Sequence, residues 1–419
     1  MKKFIPVLIV FLMVIFSFRF FEATFLSQSV VNYIVYLFML FAIAISLRYF
    51  FVKPRLFTLP LQMIVISIVF SIVMAYTAWG QSYGDSITVI IPYMVWIFFF
   101  YLLHTRVSVK TIENITLFYG GLYAILFFYQ LTHTSTILFG RSLYGDEFTV
   151  DRGIERIIFP GGGIFVLASF IALNKLTTQK KGRILWAVFV IAGIVIPVLQ
   201  VTRVFIASVL FIYLLHFLKS QNLYRKIIVF GFFAIAVALV YNSDLVVVKG
   251  LKDASKEDAS AGAKYVRIEA ADYFLEHFAP NTSTKIFGNG APFYGHSNYG
   301  KTIEKINEKG FFLEDVGIVA EYSMFGIISI IALVIIWYKS FTVKIPEQYS
   351  YAKYYMWFML FNCLTTYYIY YPYFLISTVF ALYIYQEVYE EKLLARAILG
   401  KLAAAGEFNE TDELANAKV

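Results

Sequence analysis

The chain has 419 residues, of which 60% are hydrophobic and only 15% are charged. Soluble domains carry roughly 25% charged residues, so this composition excludes an ordinary water-soluble globular protein. The net charge is +8. The single cysteine, Cys363, lies inside an apolar run, which excludes a disulfide within one chain and predicts that it packs in the protein interior.

Apolar runs recur from one end of the chain to the other. A helix needs about 20 apolar residues to cross roughly 30 Å of hydrocarbon, whereas a membrane strand is half as long and alternates. The runs therefore predict an all-α, polytopic helical bundle with about 12 transmembrane helices. They cover residues 4–18, 29–47, 57–78, 87–103, 112–131, 157–174, 184–199, 204–218, 227–241, 312–337, 354–370 and 373–388. Two of these divisions depend on turn geometry, at Gln200–Arg203 and at the break before Pro372.

The ends of the chain set the predicted limits of the membrane domain. Lys2 and Lys3 precede the first run, but Phe20 and Phe21 stand where a signal peptide would be cleaved, so we expect an uncleaved first span. Residues 1–388 are predicted to form the membrane domain. Residues 389–419 are predicted to be a cytoplasmic tail, with an interfacial helix followed by disorder.

Lysine and arginine in the short connections predict the orientation. With both termini in the cytoplasm, the short connections on the outer side hold only Arg19 and Arg203. The net positive charge is thus a topology signal and not a nucleic-acid patch. The basic residues on the predicted cytoplasmic side, besides those of the C-terminal tail, are Lys2, Lys3, Arg48, Lys53, Arg55, Arg106, Lys110, Lys175, Lys180, Lys181, Arg183, Lys219, Arg225, Lys226, Lys339, Lys344 and Lys353.

Two predicted extracytoplasmic segments, 132–156 and 242–311, are long, which is typical of functional loops. The second begins with a polar stretch, 249–262, that we expect to be mobile. An amphipathic helix is predicted over 263–278 on the membrane surface, with short helices beyond it. Its predicted apolar face comprises Val266, Ile268, Ala271, Phe274, Leu275 and Phe278.

Common catalytic motifs are missing from the sequence. It has no phosphate-binding glycine loop followed by lysine, no Cys or His cluster with metal spacing and no nucleophile elbow. The predicted spans have no charge near their middles apart from Glu321, which disfavours an ion-coupled transporter. No metal or cofactor is predicted.

Arginines on the predicted outer side are the first candidates for function. A guanidinium stays charged and pairs with phosphate oxygens through two parallel hydrogen bonds. For most of them a solvated charge or an ion pair is the simpler explanation. Arg203 differs, because an unpaired guanidinium between two apolar spans is costly. The candidates are Arg141, Arg152, Arg156, Arg203 and Arg267.

Three side chains are candidates for a general base. His296 lies in a glycine-rich, aromatic loop, although a loop histidine is more often merely exposed. Glu314 and Asp315 lie where the second loop re-enters the membrane, where a carboxylate can accept a proton or cap the next helix. Gly161–Gly163 allow either close approach of a head group or close helix packing.

The order of these motifs resembles the O-antigen polymerase and O-antigen ligase superfamily. The polymerases have an arginine followed by ten residues and a glycine, which Arg152 and Gly163 match. The other matching motifs are a Thr202-Arg203 pair that opens a span, Arg267, Gly288-Asn289-Gly290, His296-Ser297-Asn298-Tyr299, Asp315-Val316-Gly317 and Gly326.

The resemblance implies a metal-independent glycosyltransferase in the bacterial inner membrane, with its active site on the periplasmic side. Its partners would be lipid-linked oligosaccharide donor and acceptor, membrane lipids and a chain-length regulator. In the ligases, arginines at the positions of Arg203 and Arg267 and a loop histidine like His296 are functional. The residue chemistry independently suits such a transfer, with His296 or Asp315 as the catalytic base. Arg203, Arg267, Arg152 and Arg156 are the predicted pyrophosphate-binding residues. The sequence after His296 departs from the ligase pattern, so a polymerase is favoured over a ligase. A flippase for the same glycan and a structural membrane subunit are the alternatives.

Overall fold

A computed structural model of the chain describes residues 4–142, 149–151, 154–200, 202–219, 223–242, 246–262, 265–366 and 369–404. Within this part, a helix covers at least part of each of the twelve predicted apolar runs. Six helical segments are long and apolar enough to cross a membrane: Phe4–Glu22, Gln28–Leu47, Thr58–Trp79, Tyr83–Thr105, Val109–Thr132 and Ile318–Thr342. The prediction of an all-α membrane protein is confirmed at this level.

The elements follow the chain in this order. The first half contains α1 Phe4–Ser17, α2 Gln28–Leu47, α3 Thr58–Trp79, α4 Tyr83–Ile90, α5 Phe98–Thr105, α6 Val109–Thr132, β1 Arg141–Ser142, β2 Thr149–Asp151, β3 Ile154–Ile158, α7 Gly162–Thr178 and α8 Arg183–Leu199. The second half contains α9 Arg203–Lys219, α10 Leu223–Tyr241, α11 Val246–Ala261, α12 Val266–Asp272, α13 Thr282–Phe287, α14 Asn298–Asn307, α15 Ile318–Thr342, α16 Ser350–Cys363 and α17 Pro372–Ala404. A 3-10 helix, Ile91–Ile97, joins α4 to α5, and a π-helical turn, Tyr273–His277, continues α12.

Helix α7 is the centre of the bundle. Its residues from Gly162 to Asn174 are buried, because α6, α8, α16 and α17 surround it. At Gly163 a side chain would collide with Phe374 and Ser377 of α17, so this glycine lets the two helices approach closely. Of the two uses predicted for Gly161–Gly163, the close helix packing is observed.

The first long segment contains a small sheet, which the sequence analysis does not predict. Strand β3 is central and pairs antiparallel with both β1 and β2. Arg141 lies opposite Ile158 in one ladder, and Thr149 lies opposite Arg156 in the other. The sheet places Arg141 and Arg156 immediately before α7. The predicted span 157–174 therefore begins as a strand, and its helix starts only at Gly162.

Helix α15 is broken at Gly326, which has the left-handed φ of 75°. The break leaves backbone carbonyls without helical partners, and the Gly288–Gly290 loop supplies donors for them. Asn289 N and Gly290 N donate to the carbonyls of Ser323 (2.9 Å) and Met324 (2.8 Å). Trp79 Nε1 on α3 donates to Asn289 Oδ1 at 3.0 Å. The glycine motif thus joins the second long segment to the broken helix.

Two expectations about the second long segment change. The polar stretch 249–262, expected to be mobile, is mostly helical, within α11. The amphipathic helix is present, but its buried side comprises Ala270, Phe274 and Phe278, while Val266 and Ile268 of the predicted apolar face are exposed. Phe274 and Phe278 of the predicted apolar face are thus buried, whereas its first two residues are not.

The ends of the last helices also differ from the predicted boundaries. Helix α16 ends at Cys363, seven residues before the predicted span end, and Cys363 is buried as expected. Helix α17 continues without interruption from Pro372 to Ala404, through the start of the predicted tail; residues 405–419 lie outside the described part.

Residues from the predicted cytoplasmic connections meet at one end of the bundle. Arg55 pairs with Glu390 at 3.0 Å, and Arg106 pairs with Glu387 and, at 3.1 Å, with Glu390. Burial raises the pKa of the Glu390 carboxyl, but hydrogen bonds from Gln386, Arg106 and Arg55 outweigh this effect, and the pKa lies below its ordinary value. We call the other end, which carries segments 132–156 and 242–311, the loop end.

Candidate functional site

Arg203 begins α9 at the loop end. The short connection before it is held by Gln200, whose Nε2 donates to the Tyr123 hydroxyl at 2.8 Å. The N-terminus of a helix carries a partial positive charge, which adds to that of the guanidinium. Arg203 Nη1 donates to Ser255 Oγ on α11 at 2.9 Å, so α11 lies against this arginine.

Arg267 lies on α12, which belongs to the second long segment of the loop end. Its Nη2 is 3.3 Å from Asp315 Oδ1, and both side chains are partly exposed. Asp315 belongs to the short 3-10 turn Leu313–Asp315 just before α15. The turn that follows the second long segment therefore places a carboxylate beside an arginine of that segment.

The structure brings Arg203 and Arg267 to one opening of about 670 Å³, which we call the Arg203 cleft. Arg156 and Asp315 also line it. Its apolar wall comes from α12, α15 and the residues after α16, namely Ile268, Val316, Ile318, Val319 and Leu364. Charged groups and an apolar wall therefore face the same space, as a ligand with a charged head and an apolar chain requires.

A second opening of about 510 Å³, the Arg141 cleft, adjoins the first. The two share four lining residues, Arg156, Thr202, Asp315 and Thr366. Arg141, Glu314 and the aromatic residues Tyr371 and Tyr373 line the Arg141 cleft and not the Arg203 cleft. The clefts are thus adjacent, and Arg156 and Asp315 line both of them.

The charges of the two clefts are unequal. The described lining residues include four arginines, at 141, 156, 203 and 267, and two carboxylates, at 314 and 315. An excess of guanidinium groups attracts an anion and can hold it through charge-assisted hydrogen bonds.

Glu314 is exposed to the Arg141 cleft and has protein around it on the other sides. Desolvation by this surrounding protein raises the pKa of the Glu314 carboxyl, and the negative charge of Asp315 adds to the rise while Arg141 opposes it. A carboxylate whose pKa moves toward neutrality is a better general base at neutral pH. Glu314, an alternative to Asp315 in the sequence analysis, therefore stays a candidate base.

His296 lies away from these clefts and lines neither of them. Its side chain is 75% exposed, and its Nε2 is 3.2 Å from Asp85 Oδ2, at the start of α4. The structure therefore does not bring His296 together with Arg203, Arg267 and Asp315. Arg152 lies outside the described residues.

Sequence reasoning missed the surroundings of Arg141. Its Nη2 donates to the Tyr371 hydroxyl at 3.3 Å, and its Nε is 3.8 Å from Glu22 Oε2. The Tyr373 hydroxyl donates to the other oxygen of Glu22. The sequence signal for this cluster is the run of tyrosines beside Pro372, at the position where the sequence analysis predicts a break between two spans.

The fold and these clefts define an all-α membrane protein with an arginine-lined site at its loop end. No protein-family model matches the chain, and neither does any curated protein or solved structure.

Proposed function

We propose that the protein is a polysaccharide polymerase that transfers a glycan from a lipid pyrophosphate to a second lipid-linked glycan. The observation that carries this proposal is the convergence of Arg203, Arg267 and Asp315 on one cleft. We further propose that all twelve helical segments cross the bacterial inner membrane and that the loop end faces the periplasm, as the loop charges indicate.

The donor would place its pyrophosphate on Arg203 and Arg267. Two guanidinium groups neutralise the leaving group as its charge grows, which is the stabilisation that lowers the barrier of such a transfer. The apolar wall at Ile318, Val319 and Leu364 would receive the first part of the lipid chain.

The acceptor would enter through the Arg141 cleft. Its hydroxyl oxygen forms a bond to the anomeric carbon of the donor sugar, and the bond from that carbon to the pyrophosphate oxygen breaks. The hydroxyl proton passes to a carboxylate, Glu314 or Asp315, and the lipid pyrophosphate leaves with the bonding electrons. No nucleotide is needed, because the donor is already activated.

The ion pair between Arg267 and Asp315 has a place in this scheme. A pyrophosphate carries more charge than one carboxylate and competes for the Arg267 fork. Binding of the donor would therefore release Asp315 from Arg267 at the moment when a proton acceptor is needed.

A ligase, which would transfer the glycan to lipid A core, is the second candidate. The resemblance assigns a functional loop histidine to the ligases, and His296 lies outside both clefts, so the geometry favours the polymerase. His296 remains a predicted catalytic residue only under the ligase hypothesis.

The glycolipid profile of cells that lack the protein tests the proposal. A polymerase leaves single repeat units on the lipid carrier, a ligase leaves long lipid-linked polymer, and a flippase leaves repeats inside the cell. Re-expression of the wild-type chain should restore polymer, and an Arg203→Ala, Arg267→Ala double variant should not. Polymer restored by the double variant would contradict the proposal.

A further inference from the structure

A third opening, of about 210 Å³, lies at the loop end between α1, α2 and the 3-10 helix Ile91–Ile97. We call it the Arg19 cavity. Apolar side chains from all three elements form its walls: Phe16, Val35, Met39, Ile91 and Val95. Its polar lining includes Arg19, Asn32, Arg141 and Tyr371. Two guanidinium groups therefore face a space that is otherwise mostly apolar.

Arg19 is held in this position by an unusual backbone. Four consecutive residues, Arg19 to Glu22, have the left-handed φ values 49°, 57°, 57° and 51°. Side chains with a Cβ rarely adopt this conformation, and such strain is found mainly at binding and catalytic sites. The turn is held by the burial of Phe18 and Phe21 and by a 2.9 Å hydrogen bond from Gly140 N to the Phe21 carbonyl.

The turn sends two charges in different directions. Arg19 Nη2 donates to Asn32 Oδ1 on α2, a neutral partner, and no carboxylate among the described residues pairs with Arg19. Glu22 instead lies beside Arg141 and accepts from Tyr373. A regular continuation of α1 would advance each side chain by about 100° and would not separate Arg19 from Glu22 in this way. The strained turn thus directs Arg19 toward the cavity.

Arg141 connects the cavity to the candidate active site. It lines the Arg19 cavity on one side and the Arg141 cleft on the other, and 56% of its side chain is exposed. The carboxylates Glu314 and Asp315 line that same cleft. A molecule with its phosphate between Arg19 and Arg141 can therefore extend its head group toward the carboxylates.

Two helices that line the cavity expose most of their apolar surface outside the bundle. Helices α1 and α2 are among the least covered of the bundle, with 33% and 28% of their apolar windows buried inside the protein. An apolar chain can approach along them, while the guanidinium groups match a phosphate and not a neutral head group.

We infer that the Arg19 cavity binds the phosphate and the adjoining chain of a second lipid, the lipid-linked acceptor. The role of this lipid as the acceptor rests on the proposed function, whereas the binding of a lipid phosphate rests on the cavity alone. The donor and the acceptor then occupy opposite sides of the Glu314–Asp315 turn, with Arg203 and Arg267 at one pyrophosphate and Arg19 and Arg141 at the other.

Binding of undecaprenyl phosphate to the purified full-length protein in detergent tests the inference, with native mass spectrometry as the readout. The wild type should bind two molecules per chain. Arg19→Ala should lose one of them, with affinity for that molecule reduced about tenfold or more, as the loss of a charge-assisted contact predicts. Arg203→Ala should lose the other, and the double variant should bind none.

A second pair of variants tests the cavity without removing a charge. Val35→Phe should fill the cavity and lose the same molecule as Arg19→Ala. Val30→Phe on the same helix, where the side chain is 54% exposed, should keep both molecules. Inorganic phosphate at the same concentration should displace neither. Two molecules retained by both Arg19→Ala and Val35→Phe would overturn the inference, as would equal displacement by inorganic phosphate.

Kinetics separate this inference from the proposed function. The transfer assay uses as acceptor a lipid-linked glycan in which a carbon replaces the anomeric oxygen next to the phosphate, so that it can accept but not donate. Arg19→Ala should raise the KM for this acceptor and leave the KM for the donor unchanged. Normal acceptor KM with intact polymer formation would overturn the inference and leave the proposed function standing. No transfer by a wild type that binds two lipids in an Arg19-dependent way would overturn the proposed function and the acceptor assignment, and would support the lipid-phosphate site.

Discussion

Arg267 and Asp315 face each other at 3.3 Å across the Arg203 cleft, although 48 positions separate them in the chain. Both also face Arg203 and Arg156 in that cleft. A partly exposed ion pair of this kind contributes little to folding stability. Its position beside two further arginines is the geometry on which the proposed donor site rests.

Arg203→Lys tests whether the contact of Arg203 with the donor needs a planar fork. Lysine keeps the charge and loses the two parallel hydrogen bonds, so we expect transfer activity to fall about tenfold or more while the protein still inserts. Arg183→Lys is the control, because Arg183 is exposed at the start of α8. Full activity in Arg203→Lys would leave only a charge requirement at this position.

Glu314→Gln tests the general base. The pKa of the Glu314 carboxyl is raised by desolvation, and the base is active when deprotonated, so wild-type kcat/KM should fall as the pH drops through this raised pKa. The glutamine variant should lose about a hundredfold in activity or more, together with this acid limb. Glu308→Gln, at an exposed position, should keep the wild-type profile. An unchanged profile in Glu314→Gln with activity lost in Asp315→Asn would assign the base to Asp315 instead.

His296→Ala distinguishes the two transferase hypotheses. His296 is exposed and paired with Asp85 away from the clefts, so a polymerase should keep most of its activity without it. The measurement is transfer of the lipid-linked glycan, either to lipid-linked repeats or to lipid A core, in membranes that contain the variant, with Asp85→Asn as a companion. Loss of transfer in His296→Ala, with normal insertion, would favour the ligase.

Gly326→Ala tests the break in α15. A Cβ there would be strained at a φ of 75° and would collide with the Ile286 carbonyl, so we expect a loss of at least about 2 kcal/mol in stability. The loss should appear as a lower midpoint of thermal unfolding in detergent. Gly231→Ala in α10, where nothing lies within 4 Å of the added Cβ, should not lower it. Equal midpoints for the two variants would mean that the broken helix is not needed for stability.

Reporter fusions test the orientation. An enzyme that is active only outside the cytoplasm, inserted at Ser255 of α11, should be active. The same enzyme at the C-terminus, beyond α17, should be inactive because both ends of an even number of spans lie on the same side. Activity at the C-terminus would remove the even number of crossings.

The sequence by itself determined the class of protein, because long apolar runs and few charges have no other stable arrangement than helices that bury their backbone polar groups. It also identified three candidates: Arg203 for its costly place between apolar spans, Arg267 as an arginine on the outer side, and Asp315 for its place where the loop re-enters the membrane. Short-range signals were enough for these conclusions.

Only the tertiary structure decided which candidates meet. Arg267 and Asp315 share a cleft with Arg203, while His296 is held elsewhere by Asp85, and no local pattern determines such long-range contacts. The role of Gly288–Gly290 likewise needed the broken helix as its partner. The Arg19 cavity depends on a strained left-handed turn that sequence propensities oppose, because the surrounding packing holds the turn in a conformation that the local sequence alone would not adopt.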